Sequence, residues 1–243
     1  MVQADESSLP VFRNRLLAAL PPDDLARLWP RLEPFELTAH RTLHSQGEPL
    51  PAVYFPESGW VSLLVRLEDG ESAEVGVVGR EGMVGMPLMM GGTDAELDAL
   101  VQCPGTALRL GAAAFHAAME TSPAFHDLML RYALVRHVHS TRMAACNARH
   151  PLGQRLARSL LMAHDRADGH TPITHEVLSM MLGVRRAGVT VAAGAMQKAG
   201  LIRYCPGHIT ITDRPGLEAY ACECYGVIRH ASDRLLGSGP KDR

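Results

Sequence analysis

The sequence predicts an α+β chain: short antiparallel strands in front, one long helix in the middle, and a helix–turn–helix closed by a hairpin behind. Three observations predict it. Apolar runs alternate with turn residues from about 35 to 110, no breaker interrupts the helical pattern of 125–149, and residues 171–213 read as helix, glycine turn, helix and hairpin.

The 243 residues suffice for two modest domains, and 47% apolar with 21% charged residues is ordinary globular composition. Met1 to Ser8 is polar and acidic, without the pattern of a signal peptide, and no apolar stretch has the length of a membrane span. A soluble, cytoplasmic chain with no membrane partner is expected. Cysteines stand at 103, 146, 205, 222 and 224, an odd number at irregular spacing that suits a reducing compartment rather than a disulfide framework. Cys222 and Cys224 are closer than a zinc knuckle requires, and no second pair has zinc-site spacing. The thiols therefore read as free and partly buried, and neither metal nor cofactor is expected. The net charge of −2 conceals an asymmetry, since residues 1–150 carry −6 and residues 151–243 carry +4. A basic module behind an acidic one is what a chain shows when only its rear part meets phosphate.

Residues 12–32 read as one or two short helices, with Asp23 or Asp24 placed to cap the second. Strands are expected at 52–55, 60–67, 73–78, 99–103 and 106–110, separated by turns such as Glu68-Asp69-Gly70, a spacing that suits an antiparallel barrel or sandwich. Gly76, Gly79, Gly82 and Gly85 lack the dinucleotide-binding spacing and read as turns. A short helix follows at 112–119, and Pro123 opens the long one, which runs to Arg149. Leu128, Tyr132, Val135, Val138 and Arg142 form a narrow stripe along it, suited to a dimer seam or to packing within the chain. His126, His137, His139 and His150, on or beside this helix, read as surface or interface residues. Pro151 breaks it, a helix with Leu156, Leu160 and Leu161 on its apolar face follows, and Asp168-Gly169 makes a turn.

Next comes the segment that carries function. Residues 171–174 read as a small edge strand, and Thr174 caps a helix from His175 to Leu182. Gly183 closes it, and a second helix begins at Arg185-Arg186-Ala187 and runs to about Lys198. Strands at 201–204 and 208–212 flank a tight Pro206-Gly207 turn, completing a winged helix-turn-helix. Gly188, Val189, Thr190, Val191 and Gly194 give the second helix poor intrinsic propensity, so packing must hold it. Two arginines in its first turn suit paired hydrogen bonds to guanine, and Thr190 suits a phosphate or a thymine methyl.

This order, together with Thr174 to Ile202 and the helix sequence Gln154-Arg155-Leu156-Ala157-Arg158-Ser159-Leu160-Leu161, resembles the Crp–Fnr transcription regulators. The resemblance covers nearly the whole chain. It implies an effector or sensor domain built as a cyclic-nucleotide-binding-like β-roll over 1–122, a dimerisation helix over 123–150 and a DNA-binding winged helix-turn-helix over 151–243. Arg185 and Arg186 fall in the family's base-reading turn, while Ala187 stands where many members have a glutamate and Val191 where a polar or basic residue is usual. Thr174, His175 and His208 are expected at the DNA backbone. The implied partners are a palindromic duplex operator, a second copy of the chain and RNA polymerase.

The effector site departs from the family. Gly85-Met86-Pro87 replaces its ribose-binding triplet, and Asp94, Glu96 and Asp98 stand where an arginine would hold a cyclic phosphate. Gly85, Met86 and Glu96 are thus candidate effector-pocket residues, with an effector other than cyclic AMP. The N-terminal cysteine cluster of the family's iron–sulfur sensors is missing. Two further readings are a ligand-independent regulator or a protein-interaction module that uses the β-roll as a scaffold. No catalytic signature stands out, so no enzyme is expected.

Overall fold

The computed structural model describes residues 10–68, 70, 72–167, 173–205 and 208–237. Met1 to Ser8, Asp69, the Asp168-Gly169 turn, Thr171-Pro172 and the Pro206-Gly207 turn lie outside the described residues. Asn14 caps α1 (Arg15–Ala18): its side-chain oxygen accepts from the Leu16 and Leu17 amides, and its side-chain amide donates to the Pro56 and Gly82 carbonyls. The entry segment is thereby pinned to the sheet behind it. α2 (Pro22–Leu28) starts on proline after Pro21, so neither aspartate is its cap. Asp24 instead accepts from the Ser122 hydroxyl at 2.6 Å and pairs with Arg27.

Among the described residues seven strands follow: β1 (Leu32–Leu37), β2 (Thr42–His44), β3 (Ala52–Pro56), β4 (Trp60–Arg66), β5 (Ser72–Val78), β6 (Asp98–Cys103) and β7 (Gly105–Gly111). They form two antiparallel sheets, ordered β1-β7-β3 and β2-β6-β4-β5. Between them lie Leu37, Val61, Val78, Val101 and Ala107, all buried. The two strands without a sequence signal are explained by composition. β1 carries Pro34 and two glutamates, tolerable because it is an edge strand, and β2 spans only three residues. Of the recurring glycines, Gly79 and Gly82 bound a turn in which the Gly82 amide donates to the Gly79 carbonyl at 3.0 Å, and Gly85, at φ 102°, opens the turn that follows, as expected; Gly76 is the exception. Gly76 lies inside β5, where a side chain would meet the Arg136 guanidinium, and one at Gly82 would meet the Tyr132 ring. Their missing Cβ atoms let the long helix approach the sheet backbone.

α3 (Ala112–Thr121) leads to α4 (Pro123–Arg149), which starts where Ser122 Oγ accepts from the Phe125 amide at 3.0 Å. Here one sequence assignment is corrected. Leu128, Tyr132 and Val135 are buried against their own chain, packed with Phe12, Leu16 and Leu110. The Tyr132 hydroxyl donates to the Met83 carbonyl and accepts from the Met83 amide. Val138 and Arg142 are half-buried. The N-terminal helices and the β-domain cover this stripe, joined by an element that the sequence reading left out, α9 (Cys224–Leu236), which returns along α4 with Cys224 beside Cys146 and Leu236 in the core with Leu128. The face of α4 that stays open instead carries Leu130 and Leu134, at 52% and 46% exposure.

The rear unit comprises α5 (Leu152–His164), α6 (His175–Leu182), α7 (Arg186–Lys198), the hairpin β8 (Ile202–Cys205) and β9 (His208–Ile211), and α8 (Arg214–Tyr220). Ile173 and Thr174 belong to no sheet, so no edge strand forms among the described residues there. Leu156, Leu160, Leu178, Val189, Met196 and Ile209 form its core, which Trp60 and Val77 of the front sheets join. The unit therefore rests on the β-domain, and Arg166 pairs with Glu81 across the junction at 2.6 Å.

Candidate nucleic-acid interface

Thr174 is the N-cap of α6, with its hydroxyl accepting from the Val177 amide at 3.2 Å. The helix stops where Gly183 takes φ 60°, a conformation that costs a glycine least. Arg155 of α5 donates to the Leu182 carbonyl, so the turn between the two helices is held from beneath. Val189, Ala193 and Met196 bury the inner face of α7. Its outer face shows Arg185, Arg186, Ala187, Thr190 and Val191, all exposed, with Val191 at 74%. Neither arginine is in an ion pair among the described residues. With its N-terminus, where backbone N–H groups point outward, this end of α7 is prepared for an anion.

His175 joins the parts. Its Nδ1 lies 3.1 Å from the Thr190 hydroxyl, and its ring stacks on Tyr204 of the hairpin at 4.4 Å between centroids. Burial and the neighbouring Arg186 both lower its pKa, which favours the neutral ring. Gln197 accepts from the Tyr204 amide at 2.8 Å, tying α7 to β8. Of the six candidates, Thr174, His175, Arg185, Arg186 and Thr190 thus gather on one side of α6 and α7. His208 is half-buried on β9. Tyr204 was not singled out for this face by the sequence, whereas Val191 was noted only as a departure from the family's usual polar or basic residue. Strand alternation would have placed Tyr204 inward with Ile202; instead Arg203 and Tyr204 are both exposed, and the Tyr204 ring turns to stack on His175.

A cavity of about 800 Å³ lies between the β-domain, α4 and α5, and Gly85, Met86 and Glu96 line it together. That volume suits a small-molecule site. Its apolar wall includes Trp60, Leu63, Val75 and six methionines, at 83, 86, 90, 143, 162 and 181. The carboxylate triplet does not act as one group here. Asp98 is held outward by Arg66 at 2.8 Å and by the Gln46 amide, and only Glu96 of the three lines the cavity. Three arginines do line it, from α4, α5 and the turn after α5, but each is engaged. Arg136 donates to the Val77 carbonyl, Arg166 pairs with Glu81, and Arg158 donates to Cys146 Sγ. Burial pushes the Glu74 carboxyl up to about 7, against the pull of the Ser62 hydroxyl and of all three arginines. His139, read from sequence as a surface or interface residue, is buried in this wall, and burial beside Arg136 holds its pKa well below the usual range.

The five cysteines are free, as expected, but three of them lie together. Cys146, Cys222 and Cys224 form a buried cluster with His150 beside it.

Comparison with known proteins matches residues 34–122 to the cyclic nucleotide-binding domain and residues 154–220 to the Crp-like helix-turn-helix domain. No curated protein matches the sequence. Among solved structures, FixK2 from Bradyrhizobium japonicum superposes with a TM-score of 0.69 at 16% identity, covering 79% of this chain and 98% of that one. TTHB099, a CRP-family transcriptional regulator from Thermus thermophilus, gives 0.64 at 20%, covering 78% and 96%. The c-di-GMP responsive global regulator CLP from Xanthomonas campestris gives 0.64 at 17%, covering 79% and 99%. At such identities the structural likeness establishes the fold. With both domains present in that order, the chain has the build of a Crp-like transcription regulator with a helix-turn-helix DNA-binding domain, and it belongs to the Crp–Fnr family.

Proposed function

We propose that this chain is a homodimeric, sequence-specific transcription regulator that reads a palindromic operator through the first turn of α7. The observation that carries the reading is the exposed pair Arg185 and Arg186 at an open helix N-terminus, with no acidic partner among the described residues. Arg185 and Arg186 would hydrogen-bond base edges, and Val191 would meet a thymine methyl. Thr174, His175, Thr190 and the wing around His208 would hold phosphates and fix the register. In this reading residues 1–122 form the effector unit, 123–150 the dimer helix and 151–243 the reader.

Leu130 and Leu134 support a seam on the open face of α4, displaced from the stripe that the chain buries itself. The effector would enter the methionine-rich cavity. Met86-Pro87 in place of the ribose-binding residues, and arginines already engaged, favour an apolar ligand over a cyclic nucleotide. RNA polymerase as a further partner rests on the family likeness alone.

Selection of bound fragments from random duplex DNA tests the proposal. The expected product is an approximate palindrome with half-sites about 34 Å apart. A Leu130→Asp/Leu134→Asp variant should retain weak half-site binding at most. Selection that returns no enriched motif from the wild-type chain overturns the reading.

A further inference from the structure

Nothing above uses the cysteine–histidine cluster. Cys146 and His150 sit one helical turn apart, Cys146 within α4 and His150 just past its end, and Cys222 and Cys224 lie at the start of α9. Cys222 and Cys224 fall just beyond residue 220, where the match to the helix-turn-helix domain ends. The three Sγ atoms and one ring nitrogen all lie within 4.8 Å of one another. Cys146 Sγ is 3.4 Å from Cys222 Sγ and 3.4 Å from His150 Nδ1, and Cys224 Sγ is 3.7 Å from that nitrogen. Zinc bonds of about 2.3 Å to sulfur and about 2.0–2.1 Å to nitrogen place the corners of a tetrahedron about 3.6–3.8 Å apart. The protein atoms are therefore already near the edge lengths of that polyhedron.

Two further observations point the same way. His150 Nε2 lies 3.2 Å from the Glu223 carboxylate, which leaves Nδ1 as the free ligand atom and orients the ring as a carboxylate does behind a metal-bound histidine. Arg158 is buried with 1% exposure, yet it pairs with no carboxylate among the described residues; it donates to Cys146 Sγ at 2.8 Å and to the Ser159 hydroxyl. A buried guanidinium needs a counter-charge. Three thiolates and one neutral imidazole around a divalent cation carry a net single negative charge, which Arg158 balances.

We propose that Cys146, His150, Cys222 and Cys224 bind a structural zinc ion. Binding replaces three thiol protons, released to solvent, by the cation, with no change of oxidation state. The consequence is architectural. His150 lies at the entrance to the DNA-binding unit and Cys222 at its exit, so the metal fastens both ends of that unit to the end of α4 at a single point. The metal would then add a clamp at the base of the unit to its packing on the β-domain, and loss of the ion would loosen that base.

The test uses the full chain purified without chelator. Elemental analysis should find one zinc per chain, and replacement by cobalt should give the thiolate charge-transfer and visible bands of a tetrahedral site. Cys146→Ser and Cys222→Ser should lower the zinc content to background, whereas Cys205→Ser, on the hairpin, should leave it unchanged. Should the cluster variants not fold, the wild-type chain alone decides: its thiol count should rise by three when a strong chelator removes the metal. A wild-type chain that carries no zinc and takes up no cobalt overturns the proposal. So does a Cys146–Cys222 disulfide in the freshly isolated protein, or an iron–sulfur chromophore at these residues.

Discussion

Arginine appears in two settings, and the contrast between them separates the parts of the molecule. Arg185 and Arg186 stand in solvent at the head of α7, with no acidic partner among the described residues. Arg136, Arg158 and Arg166 lie between the β-domain and the rear helices, each committed to a carbonyl, a sulfur or a carboxylate of its own chain. The first pair contributes little to holding the fold and is available to an outside polyanion. The second set fastens the domains together and has little left to offer a ligand. The same residue type therefore says nothing about function until its partners are known.

Variants can break or sharpen this contrast. The largest effect on folding is expected from Arg166→Met, which strands the largely buried Glu81. Although burial acts in the opposite direction, Arg166 holds the Glu81 carboxyl below its ordinary range. Removing one partner of such a pair costs about 3 kcal/mol, toward the lower end because both groups keep some solvent. Urea denaturation at neutral pH would show it, and an unchanged midpoint would remove Arg166 from the fastening set.

A smaller loss is expected for Tyr132→Phe. Both backbone groups of Met83 lose their partner in a buried setting, at about 1–3 kcal/mol. The same denaturation experiment measures it, and a neutral result would show that the α4 contact with the sheet is replaceable.

The smallest effect is conditional on pH. Glu74 keeps its proton more readily folded than unfolded, so folding is penalised as pH rises past the ordinary 4.5, and the penalty is complete above about 7. Glu74→Gln should therefore raise the melting temperature above pH 7 and leave it unchanged below 4.5. An equal shift at both ends would mean that the carboxyl is not the cause.

What the sequence revealed follows from how local each signal is. Thr174, Gly183 and the apolar positions 178, 181 and 189 act within a turn or two of their own backbone, so the reader unit could be placed almost residue by residue. The long helix was equally plain in extent, because Ser122, Pro123 and Pro151 mark its ends. Its sidedness was not. Which stripe of α4 is covered depends on α9, about 90 residues away in the chain, and on Asn14 pinning α1 beneath it. The cysteine cluster was hidden for the same reason. Cys146-His150 and Cys222-Cys224 each look unremarkable alone, and only the return of α9 along α4 brings them together. The cavity was read by its front wall, Gly85, Met86 and Glu96, while its arginines came from α4, α5 and the turn after α5, which no local pattern associates with it.

The central claim is that α7 meets DNA with Arg185 and Arg186. Its most direct test is the affinity of the Arg185→Ala/Arg186→Ala protein for the selected operator and for a scrambled duplex, over a range of salt. Each arginine lost from a guanine should cost about 1–3 kcal/mol on the operator, where about 1.4 kcal/mol is tenfold. Stability should change by no more than about 0.5 kcal/mol, as for exposed surface positions. Operator preference and salt dependence identical to wild type would contradict the claim.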